Sequence, residues 1–476
     1  MPGLSMLIIL WPGIFSCQLR LRNDNERDKI FIVIGLLIIY KKWYLERRRI
    51  LKTLIKNALV ILPQENEKAD IYIDGDSICA IGAAPQGFNA ERVIDATDKL
   101  LVPGFVNAHT HIYMTAMRNR ADDLNFSQWL FDTVIPMESL LTPDDAYWSI
   151  QLGCMEMLES GVTSILDMHM FPKTTAKALA DSGMRAVISR GLQGDKDNKE
   201  AGERRIAEAV EDIELFSHIQ TLSFMLAPHA PYSCDEEYLC RVAEKAAELK
   251  VGINTHLSES MDEQRTIRAR YNMTPAELYD KCGILNDNTV CAHCVYLSES
   301  DMVLLKQRGS SVAHNPASNM KLGNGFAPIP LMMEHGLNVC IGTDGCCSNN
   351  NQSILREMGI TSLIHKGTAR EATTMNASKV FDMATVNGAK ALGLSDITGE
   401  IAVGKRADLS LFDLSSAGFF PLGDPKAALC YANGGLKAET VLINGELILD
   451  KGEFKTIDVE RVKYEVRQIV KRLNKE

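Results

Sequence analysis

The chain has 476 residues, 46% hydrophobic and 24% charged, with a formal net charge of −10. That length has room for one α/β barrel of about 250 residues plus something smaller, and the composition excludes a disordered or low-complexity protein. The acidic balance argues against a general nucleic-acid binder, and twelve irregularly spaced cysteines suit a reduced, cytoplasmic setting better than a disulfide scaffold.

Residues 1–50 differ from the rest. They hold nine Lys/Arg against four Asp/Glu, and two apolar runs, Leu7–Trp11 and Ile30–Tyr40. The longer run spans only about 16 Å as a helix, roughly half of a hydrocarbon core. No small-residue cleavage site follows Tyr40, as a signal peptide would need. A membrane anchor and a loose appendage are both open readings. The favoured one is a translation start assigned too early, with the functional chain beginning near Leu51 and residues 1–50 outside the fold.

From Leu51 the pattern becomes regular. Strand-like segments at Leu54–Leu62, Ala69–Ile81 and Arg92–Asp95 are punctuated by "DGD" and "GAAPQG" turn signals. Similar segments return at Gly399–Leu414 and Ala438–Glu453. Between them, eight short apolar strands alternate with helical stretches, ending near His111, Met168, Arg190, His229, His256, His293, His314 and Asp344. Eight strand–helix repeats predict an α/β fold, a (β/α)8 TIM barrel over 104–395. The β-rich ends, 51–103 and 396–455, would meet as a small composite β-sandwich, and 456–476 reads as a closing helix.

Seven of the ten histidines fall at or just past a predicted strand end: His109, His111, His169, His229, His256, His293 and His314. Any one alone reads most simply as a buried, hydrogen-bonded core residue. As a set they mark the barrel mouth, where catalytic residues converge. His109 and His111 are the sharpest pair, because residues i and i+2 of a strand face the same way. With His256 and Asp344 they make a nitrogen-rich site with one carboxylate, suited to zinc, with Fe2+ the lesser choice.

The motifs "VPGFVNAHTH", "HLSES", "AHCVYLS", "SVAHNPASNMKLGNG" and "GTDGCCSNNN" resemble the amidohydrolase superfamily. Within it they resemble the 5-methylthioadenosine/S-adenosylhomocysteine deaminases, across about residues 52 to 460. The resemblance implies one zinc per subunit on His109, His111, His256 and Asp344. Some relatives bridge two metals with a lysine at the end of strand four; here "TLSFMLAPHAPY" has none.

It also implies a hydrolytic deamination of the adenine ring of 5'-modified adenosines. Zinc lowers the pKa of water from about 15.7 towards about 7, and Asp344 is expected to take the water proton. Glu259 is expected to carry a proton to ring N1 and then to the leaving amine, with His293 stabilising the developing oxygen charge. Glu138 is the expected ribose-diol acceptor; Arg190 and His229 are further substrate contacts. Arg205, with Arg204 competing, is the candidate for a homocysteine carboxylate. The alternative is another amidohydrolase, such as a guanine or cytosine deaminase or a triazine-type chlorohydrolase. Expected partners are a small nucleoside substrate, no nucleic acid, and no membrane unless residues 1–50 provide contact; a homo-oligomer is open. Cys346-Cys347 departs from the small residues the family prefers after "TDG", and Cys291-x-x-Cys294, interrupted by His293, reads as strand rather than redox motif.

Overall fold

The computed structural model describes residues 51–474. The expectations for residues 1–50 lie outside them. No helix among the described residues is long and apolar enough to cross a membrane.

Chain entry is a strand, β1 (Lys52–Ile61), in which Thr53 and Ile55 are buried and their neighbours less so. Asn57, at φ 65°, interrupts that alternation, and a register shift between Ile55 and Ala58 restores it with Ala58 and Val60 facing inward. β2 (Asn66–Asp74), β3 (Ser77–Ile81), β4 (Arg92–Asp95) and β5 (Lys99–Pro103) follow.

The eight barrel strands come next: β6 (Phe105–Thr110), β7 (Val162–His169), β8 (Arg185–Leu192), β9 (Leu222–Pro228), β10 (Gly252–Leu257), β11 (Thr289–His293), β12 (Ser311–His314) and β13 (Asn338–Ile341). They pair in sequence order, all parallel. Every residue of β7 and β8 is buried, as strands covered on both faces require. Val106, Leu166, Val187, Met225, Val290, Ala313 and Cys340, one from each of seven strands, pack with Ala389 and Leu392 as an apolar layer inside the barrel.

The barrel is nearly closed, and its seam lies between β6 and β13. The His109 carbonyl accepts from the backbone N–H of Thr343 (3.1 Å) and of Asp344 (3.0 Å). Asn107 Oδ1 accepts from Thr343 N at 3.0 Å, and Asn107 Nδ2 donates to Thr343 Oγ1 at 2.7 Å. This approach demands glycine at 342, where a Cβ would sit 2.9 Å from the His109 backbone. The seam therefore fixes His109 and Asp344 relative to each other.

Beyond the barrel, β14 (Leu409–Asp413) pairs antiparallel with β5 and joins both ends of the chain. β15 (Ala438–Ile443), β16 (Glu446–Asp450) and β17 (Glu453–Phe454) complete one continuous mixed sheet of nine strands, with β4 pairing β1 off the main path. Ile55, Val60, Ile71, Ile73, Leu101, Leu409 and Leu442 pack together as its own apolar cluster. The strand expected over Gly399–Leu414 contracts to β14, because Gly399 (φ 98°) and Gly404 (φ 92°) turn the chain before it. The Asn444-Gly445 turn of the β15–β16 hairpin has positive φ at both residues, the geometry that two-residue loops favour. The closing helix runs Val459–Leu473 and lays Arg461 over the Trp148 ring at 4.9 Å.

One buried ion pair ties the two parts together. Arg185, at the start of β8, donates to Asp408 through Nε (2.6 Å) and Nη2 (3.1 Å). Asn444 N also donates to Asp408, at 2.8 Å.

Candidate active site

The mouth of the barrel brings five expected residues together. His109 lies near the end of β6 and His111 just past it, where the β6–β7 register is irregular. His256 lies in β10, His293 ends β11, and Asp344 follows β13 by three residues. All five are buried. His111 Nδ1 faces the Met168 carbonyl at 2.8 Å, and His256 Nδ1 faces the His229 carbonyl at 2.6 Å. A carbonyl only accepts, so both Nδ1 atoms carry the proton and both Nε2 atoms carry a lone pair. Those two Nε2 atoms face each other at 3.2 Å. Facing lone pairs repel unless a cation lies between them. His109 Nε2 is buried without a hydrogen-bond partner, and Asp344 Oδ1 is 3.8 Å from it and 3.4 Å from His111 Nε2. The ligand atoms of His109, His111 and Asp344 lie within 4.8 Å of one another, as do those of His109, His256 and His293. Neutral imidazoles with one carboxylate fit a divalent metal.

Asp344 is held from several sides. Ser318 Oγ and Ser348 Oγ each donate to Oδ2 at 2.7 Å, and Gly345 N donates to Oδ1 at 2.8 Å. Burial alone would raise its pKa; His293, His111, His109 and the Ser318 hydrogen bond outweigh that and hold it below the ordinary carboxylate range. Asp344, His293, Cys294 and Ser258 all have positive φ, a conformation side-chain-bearing residues avoid. Strained backbone thus gathers where three strands deliver the site.

Glu259 follows His256 by three residues and is buried, with its Oε1 accepting from Asn324 Nδ2 at 3.2 Å. Its Oε2 lies 4.0 Å from His293 Nε2. Burial raises the Glu259 pKa. His293, pulled down by burial, is raised on balance by Glu259 and Asp344, and its Nδ1 lies 2.8 Å from Asn319 Oδ1. This pair is suited to hold one proton between them. Behind it Glu263 accepts from the backbone N–H of Ser258 (2.7 Å) and Glu259 (3.1 Å), fixing the loop that carries the acid.

A cavity of about 340 Å³ opens onto this cluster, and His111, His229, His256, Glu259, His293 and Asp344 contribute to its wall. Glu138 lines it too, from the short helix Ile135–Ser139 that continues a seven-residue π-helix, Gln128–Val134. The Tyr113 hydroxyl donates to Glu138, whose pKa burial raises. His229 faces the cavity with its Nδ1 3.0 Å from Ser233 Oγ, and burial lowers its pKa to about 4. Both arginines make contacts within the chain. Arg190 directs Nε and Nη2 to Glu208 Oε2, each at 3.1 Å, and Nη1 to the Gly191 carbonyl at 2.8 Å. Arg205 Nη1 donates to the Gln193 carbonyl at 2.7 Å. Neither lines the cavity; the chain itself occupies both.

Residues 100–448 match the model of the Amidohydrolase family. The chain belongs to that family. It is 40% identical over 434 residues to a 5-methylthioadenosine/S-adenosylhomocysteine deaminase of Acetivibrio thermocellus, covering 88% of this chain and 99% of that relative. It is 38% identical over 414 residues to a 5'-deoxyadenosine deaminase of Methanocaldococcus jannaschii, covering 86% and 96%. Among solved structures it is similar to a zinc-bound adenosine deaminase from Xanthomonas campestris, with a TM-score of 0.84, 30% identity and coverage of 90% and 99%. It shares the fold of an atrazine chlorohydrolase from Arthrobacter aurescens, with a TM-score of 0.81, 24% identity and coverage of 88% and 100%.

Several supporting residues of this amidohydrolase were not singled out from sequence. Ser318, Asn319 and Asn324 all come from "HNPASNMKLGNG", a motif with no apparent reason for so many amides and hydroxyls until they are found beside Asp344, His293 and Glu259. Tyr113 could have been read from its place two residues beyond His111. Cys346 sits behind the mouth, its Sγ 3.4 Å from Arg118 Nη2 and 3.2 Å from Gln352 Nε2, and Cys347 is likewise buried. Outside the cluster, His169 Nε2 lies 3.8 Å from Asp212, and His314 Nε2 lies 3.3 Å from His365 Nε2.

Proposed function

We propose that this amidohydrolase is a zinc-dependent deaminase of 5'-modified adenosines. It converts S-adenosylhomocysteine to S-inosylhomocysteine and 5'-methylthioadenosine to 5'-methylthioinosine, releasing ammonia; 5'-deoxyadenosine and adenosine belong to the same class. The observation that carries the reading is one cavity combining the histidine–aspartate cluster, a buried acid beside it (Glu259) and a second buried carboxylate (Glu138). The identity of 38–40% to deaminases of this class supports it.

His109, His111, His256 and Asp344 would hold one zinc, which supplies Lewis-acid activation of water. Asp344 accepts the proton that water gives up as its oxygen adds to C6 of the purine. Glu259, with a raised pKa, enters the cycle protonated and donates to N1. The proton Asp344 gained then reaches the exocyclic amine, which leaves as ammonia, while Glu259 takes back the remaining proton of the added hydroxyl as the C6 carbonyl forms. N1 keeps its own in the hypoxanthine product, and both carboxyl groups return to their starting states. His293, oriented by Asn319, stabilises charge developing on the added oxygen. Glu138 accepts from the ribose diol, which offers two donors to an acceptor-only group. His229 stays neutral at working pH and contacts the purine or ribose. The diol contact favours a nucleoside over a free base or triazine.

Elemental analysis of the purified protein, with an ultraviolet assay of adenine-to-hypoxanthine conversion on the four nucleosides, tests this. Zinc near one equivalent and turnover of at least one nucleoside are expected. Zinc-loaded protein inert on all four would overturn the reading.

A further inference from the structure

We infer that the closing helix clamps the roof of the cavity, with Arg120 and Arg472 as positioning residues for Glu138. The effect on substrate rests on the deaminase reading; the clamp itself rests on contacts within the chain. The roof is the π-helix Gln128–Val134 with the short helix Ile135–Ser139 after it. It gives Trp129, Leu130, Phe131, Val134, Ile135 and Glu138 to the cavity wall. Little covers it from outside. Along it only Trp129 and Val134 are buried, while Phe131 is 53% and Ile135 43% exposed. Helices of seven and five residues are marginal alone, so the roof's position depends on its attachments.

From inside, Trp129 Nε1 donates to the Cys347 carbonyl at 3.1 Å, and the Tyr113 hydroxyl donates to Glu138. Lys321 pairs with Asp122 at 2.6 Å on the leading side. From outside, both flanks run to the last turn of the closing helix. Before the roof, Arg120 Nη2 donates to the Val470 carbonyl (3.0 Å) and to Asn474 Oδ1 (2.8 Å). After it, Arg472 Nη1 donates to the Leu140 carbonyl at 3.0 Å, two residues beyond Glu138, and its Nη2 donates to Asp145.

Asp145 is a firm anchor. Its Oδ2 also accepts from Thr142 N (2.7 Å) and Thr142 Oγ1 (2.6 Å), capping the helix Pro143–Glu159. Arg472 thus joins the trailing end of the roof to a capped helix through two donors of one planar fork, which a lysine cannot reproduce. Val462, Ile469 and Leu473 are buried and seat the closing helix, which lies beyond the residues 100–448 matched to the family model. The Arg472 side chain is 38% exposed, so its ion pair contributes little to stability. What it fixes is the place of Leu140, and with it Glu138.

Arg472→Ala removes both trailing bonds. On the zinc-loaded full chain, KM for the nucleoside turned over fastest should rise about three- to tenfold, with kcat and zinc content near those of the unaltered protein. In a Glu138→Gln background the same change should lower kcat/KM little further, because the clamp acts through that carboxylate. Arg472→Lys should fall between. Arg120→Ala, on the other flank, should act in the same direction even if Arg472→Ala folds poorly. Lys471→Ala, at the exposed neighbouring position, should change nothing. Hydrogen exchange gives a readout apart from activity: residues 128–141 should exchange faster in Arg472→Ala, while β10 and β13 should not. Unchanged KM or unchanged exchange in the folded variants overturns the clamp. So does an equal loss in the Glu138→Gln background, which would mean that the arginine acts on the fold rather than on that residue. If exchange quickens while the unaltered chain is inactive on every nucleoside, the clamp stands and the deaminase reading falls.

Discussion

Two buried charged clusters lie in this molecule, and they are built in opposite ways. Where the terminal sheet meets the barrel, Asp408 takes two hydrogen bonds from Arg185 and one from Asn444, all on ordinary geometry. At the mouth, two imidazole lone pairs face each other at 3.2 Å, His109 Nε2 has no partner, and several residues hold positive φ. The first cluster is complete as protein alone. The second makes physical sense only with something added, a cation first and a substrate after it. Satisfaction of buried polar groups, more than burial or charge itself, separates a structural cluster from a reactive one.

That contrast can be broken by exchanging equivalent substitutions. Asp344→Asn should lower turnover by more than about 10²-fold with the fold intact, because the amide is a poor metal ligand and cannot take the water proton. Steady-state kinetics beside circular dichroism would check it, and a rate above about a hundredth of wild type contradicts the proton-acceptor role. Asp408→Asn should do the reverse. It leaves Arg185 charged and buried without its partner, a loss of about 3–5 kcal/mol of stability. Denaturant unfolding would measure that loss, and kcat on the folded fraction should stay near wild type. Equal effects of the two variants on activity would erase the distinction.

The site was readable where its chemistry is local. The i, i+2 spacing of His109 and His111, the i, i+3 spacing of His256 and Glu259, and the strand-end position of the other histidines are all statements about one element. Barrel strands were readable because apolar runs alternated with helical stretches. Partners far apart in the chain were not readable. Nothing near Arg190 announces that Glu208, on the following helix, takes its guanidinium, nor that Arg205 turns to a backbone carbonyl. The continuous hydrogen bonding of the terminal sheet depends on β5 meeting β14, some 300 residues later, and no local pattern reports it.

Glu138 sharpens the comparison at intermediate strength, since it has one donor, Tyr113, and is open to the cavity otherwise. Glu138→Gln keeps an acceptor for Tyr113 but removes the charge and the second acceptor for a diol. A hydrogen bond to a charged group contributes about 1.5–3 kcal/mol, so nucleoside kcat/KM should fall roughly 10–150-fold. Residual activity on free adenine, which has no ribose, should change much less. A similar loss on both would place Glu138 in support of the fold rather than on the sugar.

Asp167 lies between the two extremes and gives the smallest effect. It is buried in β7; its Oδ1 accepts from Ile112 N at 2.8 Å, while its Oδ2 has no hydrogen-bond partner. Burial raises its pKa from 3.8 to about 7, against the opposing Ile112 hydrogen bond. The folded protein therefore binds this proton more tightly than the unfolded chain. Its contribution to stability is complete below the unfolded pKa and is lost as pH rises through about 7. Asp167→Asn keeps an oxygen for Ile112 and has nothing to titrate. Between pH 4 and pH 8 the wild-type unfolding midpoint should fall relative to the variant, leaving the variant ahead by a few degrees at the alkaline end. Parallel curves across that range would mean that Oδ2 finds a partner in solution, and that Asp167 belongs with the satisfied cluster at Asp408.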